Sequence, residues 1–260
     1  MLEIKNVTKK FNLTGTQEDE RIALDNVSLT VAPGEFVTII GGNGSGKSTL
    51  MNIIAGTLSP DSGQVFINGK DVTKLKEHQR AEFLGRVFQD PMRGTAADMS
   101  VLENLEIARI RGKKHSPLKW GFSIAHKEEF IKELQRFHLG LEDRLNQKVG
   151  LLSGGQRQAL TLLMASMIEP KILLLDEHTA ALDPKTAQTV LTLTNDIVKE
   201  NKLTTLMITH NMRDAITYGD RVIMLHNGKI IFDVKGEEKK KLTVDVLYKL
   251  FEEASLASLK

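Results

Sequence analysis

Gly41-Gly42-Asn43-Gly44-Ser45-Gly46-Lys47-Ser48 decides the reading of this 260-residue chain. The stretch satisfies the pattern G-x-x-x-x-G-K-[ST]; a short apolar, β-rich run, Phe36 to Ile40, precedes it, and a helical pattern follows from Lys47 to Ala55 before Gly56 ends it. Glycines are required because a Cβ would obstruct the tight wrap of backbone N–H groups around a phosphate, and the helix N-terminus adds a partial positive charge. Lys47 is placed to reach the β- and γ-phosphates of a nucleotide, and the Ser48 hydroxyl to ligate Mg²⁺. A chance glycine turn is the plain alternative, and the flanking strand and helix argue against it.

Outward from the loop the pattern alternates. Leu2 to Val7 reads as a strand, Ala23 to Val31 as a second closed by Pro33-Gly34, and the polar, acidic stretch Thr14 to Arg21 as a solvated hairpin loop. Gly63 to Ile67 followed by Asn68-Gly69 reads as a strand entering a hairpin turn. From Asp90 to about Ala165 the pattern is helical. Ser100 with Glu103 forms a capping box before Val101, Leu102, Leu105 and Ile107, Lys127 to Phe137 is amphipathic, and the basic stretch Arg111 to Ser123 between them holds the single Trp.

Ile172 to Leu175 is a fully apolar strand, followed by a helix from Pro184 with Asp183 as its cap and Ala187, Val190, Leu191 and Val198 on one face. Thr204 to Thr209 and Arg221 to Met224 read as further strands, with Asn227-Gly228 turning into Lys229 to Phe232. Strands alternating with helices predict an α/β fold with a parallel sheet covered on both faces. A charged run, Lys235 to Lys241, then precedes an amphipathic surface helix through Leu247, Leu250 and Phe251. No internal repeat or low-complexity segment interrupts the chain.

Composition narrows the class without choosing a function. The length suits one catalytic core with a helical insertion. Lys and Arg total 35 against 33 Asp and Glu, a net charge of +2 that carries no nucleic-acid signal. Cysteine is absent, which excludes disulfides and thiolate metal sites. Met1 to Lys5 lacks the apolar region of a secretory signal, and no apolar stretch approaches the roughly 20 residues that span a bilayer. A membrane role is therefore expected to come through a partner.

Asp176-Glu177 follows the apolar run Ile172 to Leu175, at the C-terminal edge of a buried strand where ligands of open α/β sheets gather. Asp176 is placed to hold Mg²⁺ and Glu177 to polarise an attacking water. Alone, an acidic pair after a strand is more often a helix start or a solvated loop. Leu152-Ser153-Gly154-Gly155-Gln156 adds a serine and two glycines at a helix start, which is either an ordinary cap or a second anion-binding surface.

With this pentapeptide, Gln89, Ala181-Leu182-Asp183 and His210 in order along the chain, the sequence resembles the ATP-binding cassette (ABC) ATPases over about Met1 to Phe232. The resemblance implies a phosphate-loop NTPase core of RecA type with a mostly parallel sheet, an antiparallel β subdomain, and an α-helical insertion (about 90–165) carrying the LSGGQ signature. It divides the chain into an ATPase domain at 1–235 and a C-terminal helical tail at 236–260. Two cassettes are then expected head to tail as a homodimer, with Ser153, Gly154, Gly155 and Gln156 of one closing on ATP held by the other's phosphate loop. The implied nucleotide contacts are Phe11, which would stack on adenine, Gly41, Gly42, Asn43, Gly44, Ser45, Gly46, Lys47, Ser48, Thr49, the four signature residues and Asp183. Catalysis falls to Glu177, His210, Gln89 and Lys47, and Mg²⁺ to Ser48, Gln89 and Asp176.

His178 stands where the family commonly has Pro, which alters the stiffness of the loop after Glu177. The chain is not fused to its own membrane helices, so the resemblance implies separate transmembrane permease subunits, a peripheral position on the cytoplasmic face of the membrane, and a solute-binding lipoprotein of the tryptophan or tyrosine type. Import of a small organic solute such as an amino acid is the expected work. A soluble cassette of iron–sulfur cluster assembly or another non-transport process is the alternative, and a binding module without turnover is disfavoured by Lys47, Glu177 and His210.

Overall fold

The computed structural model describes residues 1–12, 20–111 and 124–257. Two sheets form its frame. The smaller is a four-stranded antiparallel sheet of order β2-β1-β4-β5, built from β1 (Leu2–Asn12), β2 (Glu20–Val31), β4 (Ser62–Ile67) and β5 (Lys70–Asp71). The larger has six strands in the order β10-β9-β3-β8-β7-β6: β3 (Phe36–Ile40), β6 (Leu84–Val87), β7 (Ile172–Asp176), β8 (Thr205–Ile208), β9 (Arg221–His226) and β10 (Lys229–Lys235). Neighbours in it are parallel except the β9–β10 hairpin, whose turn residues Asn227 and Gly228 take φ of 46° and 75°.

The apolar run of β7 explains how the sheet is covered. Ile172 and Leu174 point into a core shared with the antiparallel sheet and α1 (Lys47–Ala55), while Leu173 and Leu175 point into a second core beneath the helices. Both faces are buried, so a continuous apolar strand replaces the alternation of a half-exposed one. The second core holds α3 (Val101–Arg109), α4 (Ile124–Gln135), α5 (Gly154–Ser166) and α6 (Pro184–Glu200). The short helices α2 (Glu77–Arg80), α7 (Met212–Thr217) and α8 (Gly236–Lys240) and the terminal α9 (Val244–Ala257) complete the fold.

Local signals set most boundaries. Gly56 ends α1 at φ 81°, Ser100 and Glu103 exchange both bonds of a capping box at α3, and the Asp183 carboxylate accepts the Thr186 N–H at the start of α6.

Two expectations are corrected, and one residue takes a place that its sequence did not foretell. The loop predicted over Thr14 to Arg21 lies outside the described residues at 13–19, and its last two residues are strand: Glu20 and Arg21 pair with Asn12 and Phe11, because ladder bonds between backbones do not require apolar side chains. α4 starts before Lys127 and stops short of Phe137, whose N–H closes a turn on Leu134. Lys239, read only as part of a charged run, is buried and donates from Nζ to the carbonyls of Tyr218 and Gly219, at 2.6 Å each; burial lowers its pKa to about 8. The basic stretch expected over Arg111 to Ser123 lies outside the described residues apart from Arg111, which donates to the Met164 and Ala165 carbonyls in the last turn of α5.

Candidate active site

The turn from β3 into α1 forms the floor of a cleft of about 400 Å³ lined by Phe11, Arg21, Ala23, Asn43 through Thr49, Glu177 and His210. Gly46 caps α1 at φ 104° with no side-chain cap, and a Cβ there would meet the Ala23 carbonyl at 2.5 Å. Only glycine fits, and the first amides of α1 carry no side-chain oxygen of their own cap. Lys47 is 5% exposed, and its amine donates to the carbonyls of Gly41 and Gly42 at 2.8 and 2.9 Å. Burial lowers its pKa, with Glu177 and Asp176 pulling the other way. A cation held so close to its loop's own carbonyls is aimed along the loop rather than into solvent.

At the C-terminal end of β7, Glu177 adopts φ 48°, a left-handed conformation that costs an ordinary residue on the order of 1–2 kcal/mol. Its N–H donates to the Ile208 carbonyl at 3.2 Å, tying it to the end of β8. His210, two residues beyond that strand, brings Nε2 to 2.6 Å from Glu177 Oε1. Glu177 and His210 thus meet at the rim of the cleft because β7 and β8 are parallel neighbours.

Asp176 lies one residue inward. Its Oδ2 is 3.2 Å from Nη2 of Arg86, which also donates to Asn52 Oδ1 of α1 at 2.8 Å. The guanidinium therefore joins β6, β7 and α1 behind the cleft. Sequence reading missed it, although an arginine between Leu84 and Val87 in a strand had to find a partner. Arg21, the last residue of the expected loop, also carries no sequence signal for this site; cross-strand register with Phe11 places it over Gly44, where a Cβ would lie 2.6 Å from its Nη2.

Next to Glu177, His178 is fully buried. Thr194 gives its hydroxyl proton to the Val190 carbonyl, so the imidazole Nε2 donates to Thr194 Oγ1 at 3.0 Å, and Nδ1 has no partner among the described residues. Burial lowers the pKa of His178 to about 4, so the ring is neutral at physiological pH. Where a proline would stiffen the loop by its own ring, this loop is pinned to α6.

The remaining residues of the expected site stand elsewhere. Gln89 is exposed just past β6 and does not line the cleft. Ser153 caps α5, its hydroxyl accepting the Gln156 N–H at 3.3 Å while Gln156 Oε1 accepts the Ser153 N–H at 3.1 Å. Gly155 abuts Thr186 of α6, near Asp183, which is itself engaged in capping. None of Ser153, Gly154, Gly155, Gln156 or Asp183 lines this chain's own cleft. Oxygen donors suit Mg²⁺, and Ser48, Asp176 and Gln89 supply a hydroxyl, a carboxylate and an amide. Among the described residues no group of three His, Cys, Asp or Glu could hold a metal.

A glycine loop leading from β3 into a helix, an acid at the end of β7, a parallel strand of the same sheet, and a histidine beside it after β8 define a phosphate-loop ATPase. The family model described as ABC transporter matches residues 24–180. The tyrosine transport ATP-binding protein of Clostridioides difficile (strain R20291) is 47% identical over 255 residues, covering 98% of this chain and 100% of that one. The phosphonates import ATP-binding protein PhnC of Wolinella succinogenes is 34% identical, covering 95% and 88%. A dimeric ATP-binding cassette solved in a post-hydrolysis state with ADP and Pi superposes at a TM-score of 0.76 with 31% identity, covering 90% of this chain and 98% of that one. The chain belongs to the ABC transporter family, as an ATP-binding subunit that hydrolyses ATP. No helix among the described residues is long and apolar enough to cross a membrane.

Proposed function

We propose that this chain is the ATPase subunit of an importer of a small organic solute of the amino-acid class. The observation that carries this reading is the end-to-end match, at 47% identity, to a protein named for tyrosine transport. Separate permease subunits and a solute-binding lipoprotein would complete the system, with the ATPase at the cytoplasmic face of the membrane. Residues 1–235 form the ATPase domain, with its insertion at about 90–165, and 236–260 the tail.

In this reading Phe11 stacks on adenine, and the backbone from Gly41 to Thr49, with the Lys47 amine, holds the phosphates. Ser48, Asp176 and Gln89 would hold Mg²⁺, which neutralises charge on the phosphate oxygens when bound. Glu177 takes a proton from water as its oxygen attacks the γ-phosphorus, the bond to the β-phosphate bridging oxygen breaks, and ADP and phosphate leave. His210 positions the γ-phosphate. Ser153, Gly154, Gly155 and Gln156, with Asp183, act on the nucleotide of a second copy, which is supported by their absence from their own chain's cleft and by the dimeric cassette to which the chain is similar. ATP then favours the closed pair, and hydrolysis removes that bias.

The test is to purify the chain with a polytopic membrane partner, reconstitute both in liposomes with a binding protein, and measure ATP-dependent uptake of labelled tyrosine and tryptophan. Uptake with coupled hydrolysis supports the reading. Stable association with iron–sulfur assembly proteins and no membrane partner would replace it with the non-transport alternative.

A further inference from the structure

We propose that the C-terminal helix belongs to the nucleotide site: α9 braces the phosphate loop through Phe251, which is a positioning residue for ATP binding. The proposal rests on reading Gly41 to Ser48 as the phosphate site. A methyl group placed on Gly42 would come within 3.1 and 3.2 Å of Cζ and Cε2 of the Phe251 ring. The ring therefore occupies the space that a side chain of residue 42 would take. A loop rich in glycine has no side chains with which to pack itself, so its conformation must be held from outside.

Two further contacts show why this point on the loop matters. The Gly42 carbonyl accepts a bond from the Lys47 amine, so whatever steadies Gly42 steadies the cation meant for the phosphates. Leu247, fully buried on the same helix, shares a cluster with Ile40, the residue before Gly41, and with Ala215 of α7, which begins just beyond His210. Leu250 and Phe251 pack against that cluster. One apolar contact set thus joins the tail to the entry of the phosphate loop and to the helix following His210. Holding the loop in its binding shape before nucleotide arrives lowers the ordering cost of binding.

The test uses the full-length protein and a fluorescent ATP analogue with Mg²⁺. Phe251→Ala is expected to weaken binding about fivefold and Phe251→Leu less, while Gly42→Ala, whose methyl meets the ring, weakens it about threefold. In the double variant the methyl fills the space the ring has left, so the loss should be no larger than that of either single change instead of their product. Unchanged affinity in Phe251→Ala overturns the proposal, even if its nucleotide-free unfolding midpoint falls, since that result makes the ring a structural filler only. Losses that simply multiply in the double variant also overturn it. Lys47→Ala separates the two readings: if it binds nucleotide normally, the phosphate-site assignment itself fails, whereas if it alone weakens binding, only the role of the tail does.

Discussion

Glu177 and His178 are adjacent, yet one faces the cleft and the other is sealed in the core, because the left-handed turn at Glu177 swings the two side chains apart. For Glu177→Gln we expect nucleotide binding to persist and turnover to fall by about 10²- to 10⁴-fold, the usual worth of a general base. Steady-state hydrolysis at the wild-type rate would remove Glu177 from the mechanism. His178 carries a separate prediction about stability. Its pKa falls from 6.5 to about 4 on folding, so the unfolded chain binds the proton more readily. The protonation-linked cost vanishes well above pH 6.5, and stability drains away as the pH falls toward 4, by about 3 kcal/mol in all. Denaturant titrations at a series of pH values should show this slope in the wild type and a shallower one in His178→Asn, which keeps a donor for Thr194 and cannot ionise.

Between elements, the Arg86 guanidinium is the joint that the sheet and α1 share. It sits mostly buried, with Asp176 on one strand and Asn52 on the helix as partners, and its Nε is unpartnered among the described residues. Removing one member of a shielded ion pair leaves the other charge without compensation. Arg86→Met should therefore lower unfolding stability by about 2 kcal/mol, a figure below that of a deeply buried pair because both groups keep some solvent contact. A denaturation midpoint that falls at constant slope would match this expectation; an unmoved midpoint would show that Asp176 needs no counterion in the fold. The pair also sets where the acid points, since Arg86 and Leu174 face each other in the β6–β7 register, two residues before Asp176.

At the level of the whole molecule, α5 carries Ser153 and its glycines away from the cleft, and the proposed two-chain site takes them as the second nucleotide surface, one that a single chain would not bring to its own cleft. Mixing a Ser153→Arg chain with a Glu177→Gln chain should restore activity, since half of the dimers are mixed and each mixed dimer rebuilds one of its two sites. The yield expected is about a quarter of the wild-type rate for independent sites. Activity that stays absent in the mixture, or that is independent of protein concentration in the wild type, would contradict a shared site. What the sequence determined by itself is what neighbouring residues encode: the phosphate loop, Gly56 closing α1, the Ser100–Glu103 box, Asp183 heading α6, the twin-faced burial of β7, and the order of motifs that names the family. These are short-range, because helical and strand periods, caps and turns depend on side chains only a few positions apart. Tertiary structure alone decided which distant groups meet. It seated Arg86 on Asp176, 90 positions away, His178 on Thr194, Lys239 beneath Gly219, Arg21 beside Gly44 and Phe251 on Gly42. Such contacts follow from how the sheets and helices stack, and a charged or aromatic residue reads the same in sequence whether packing buries it or leaves it in water.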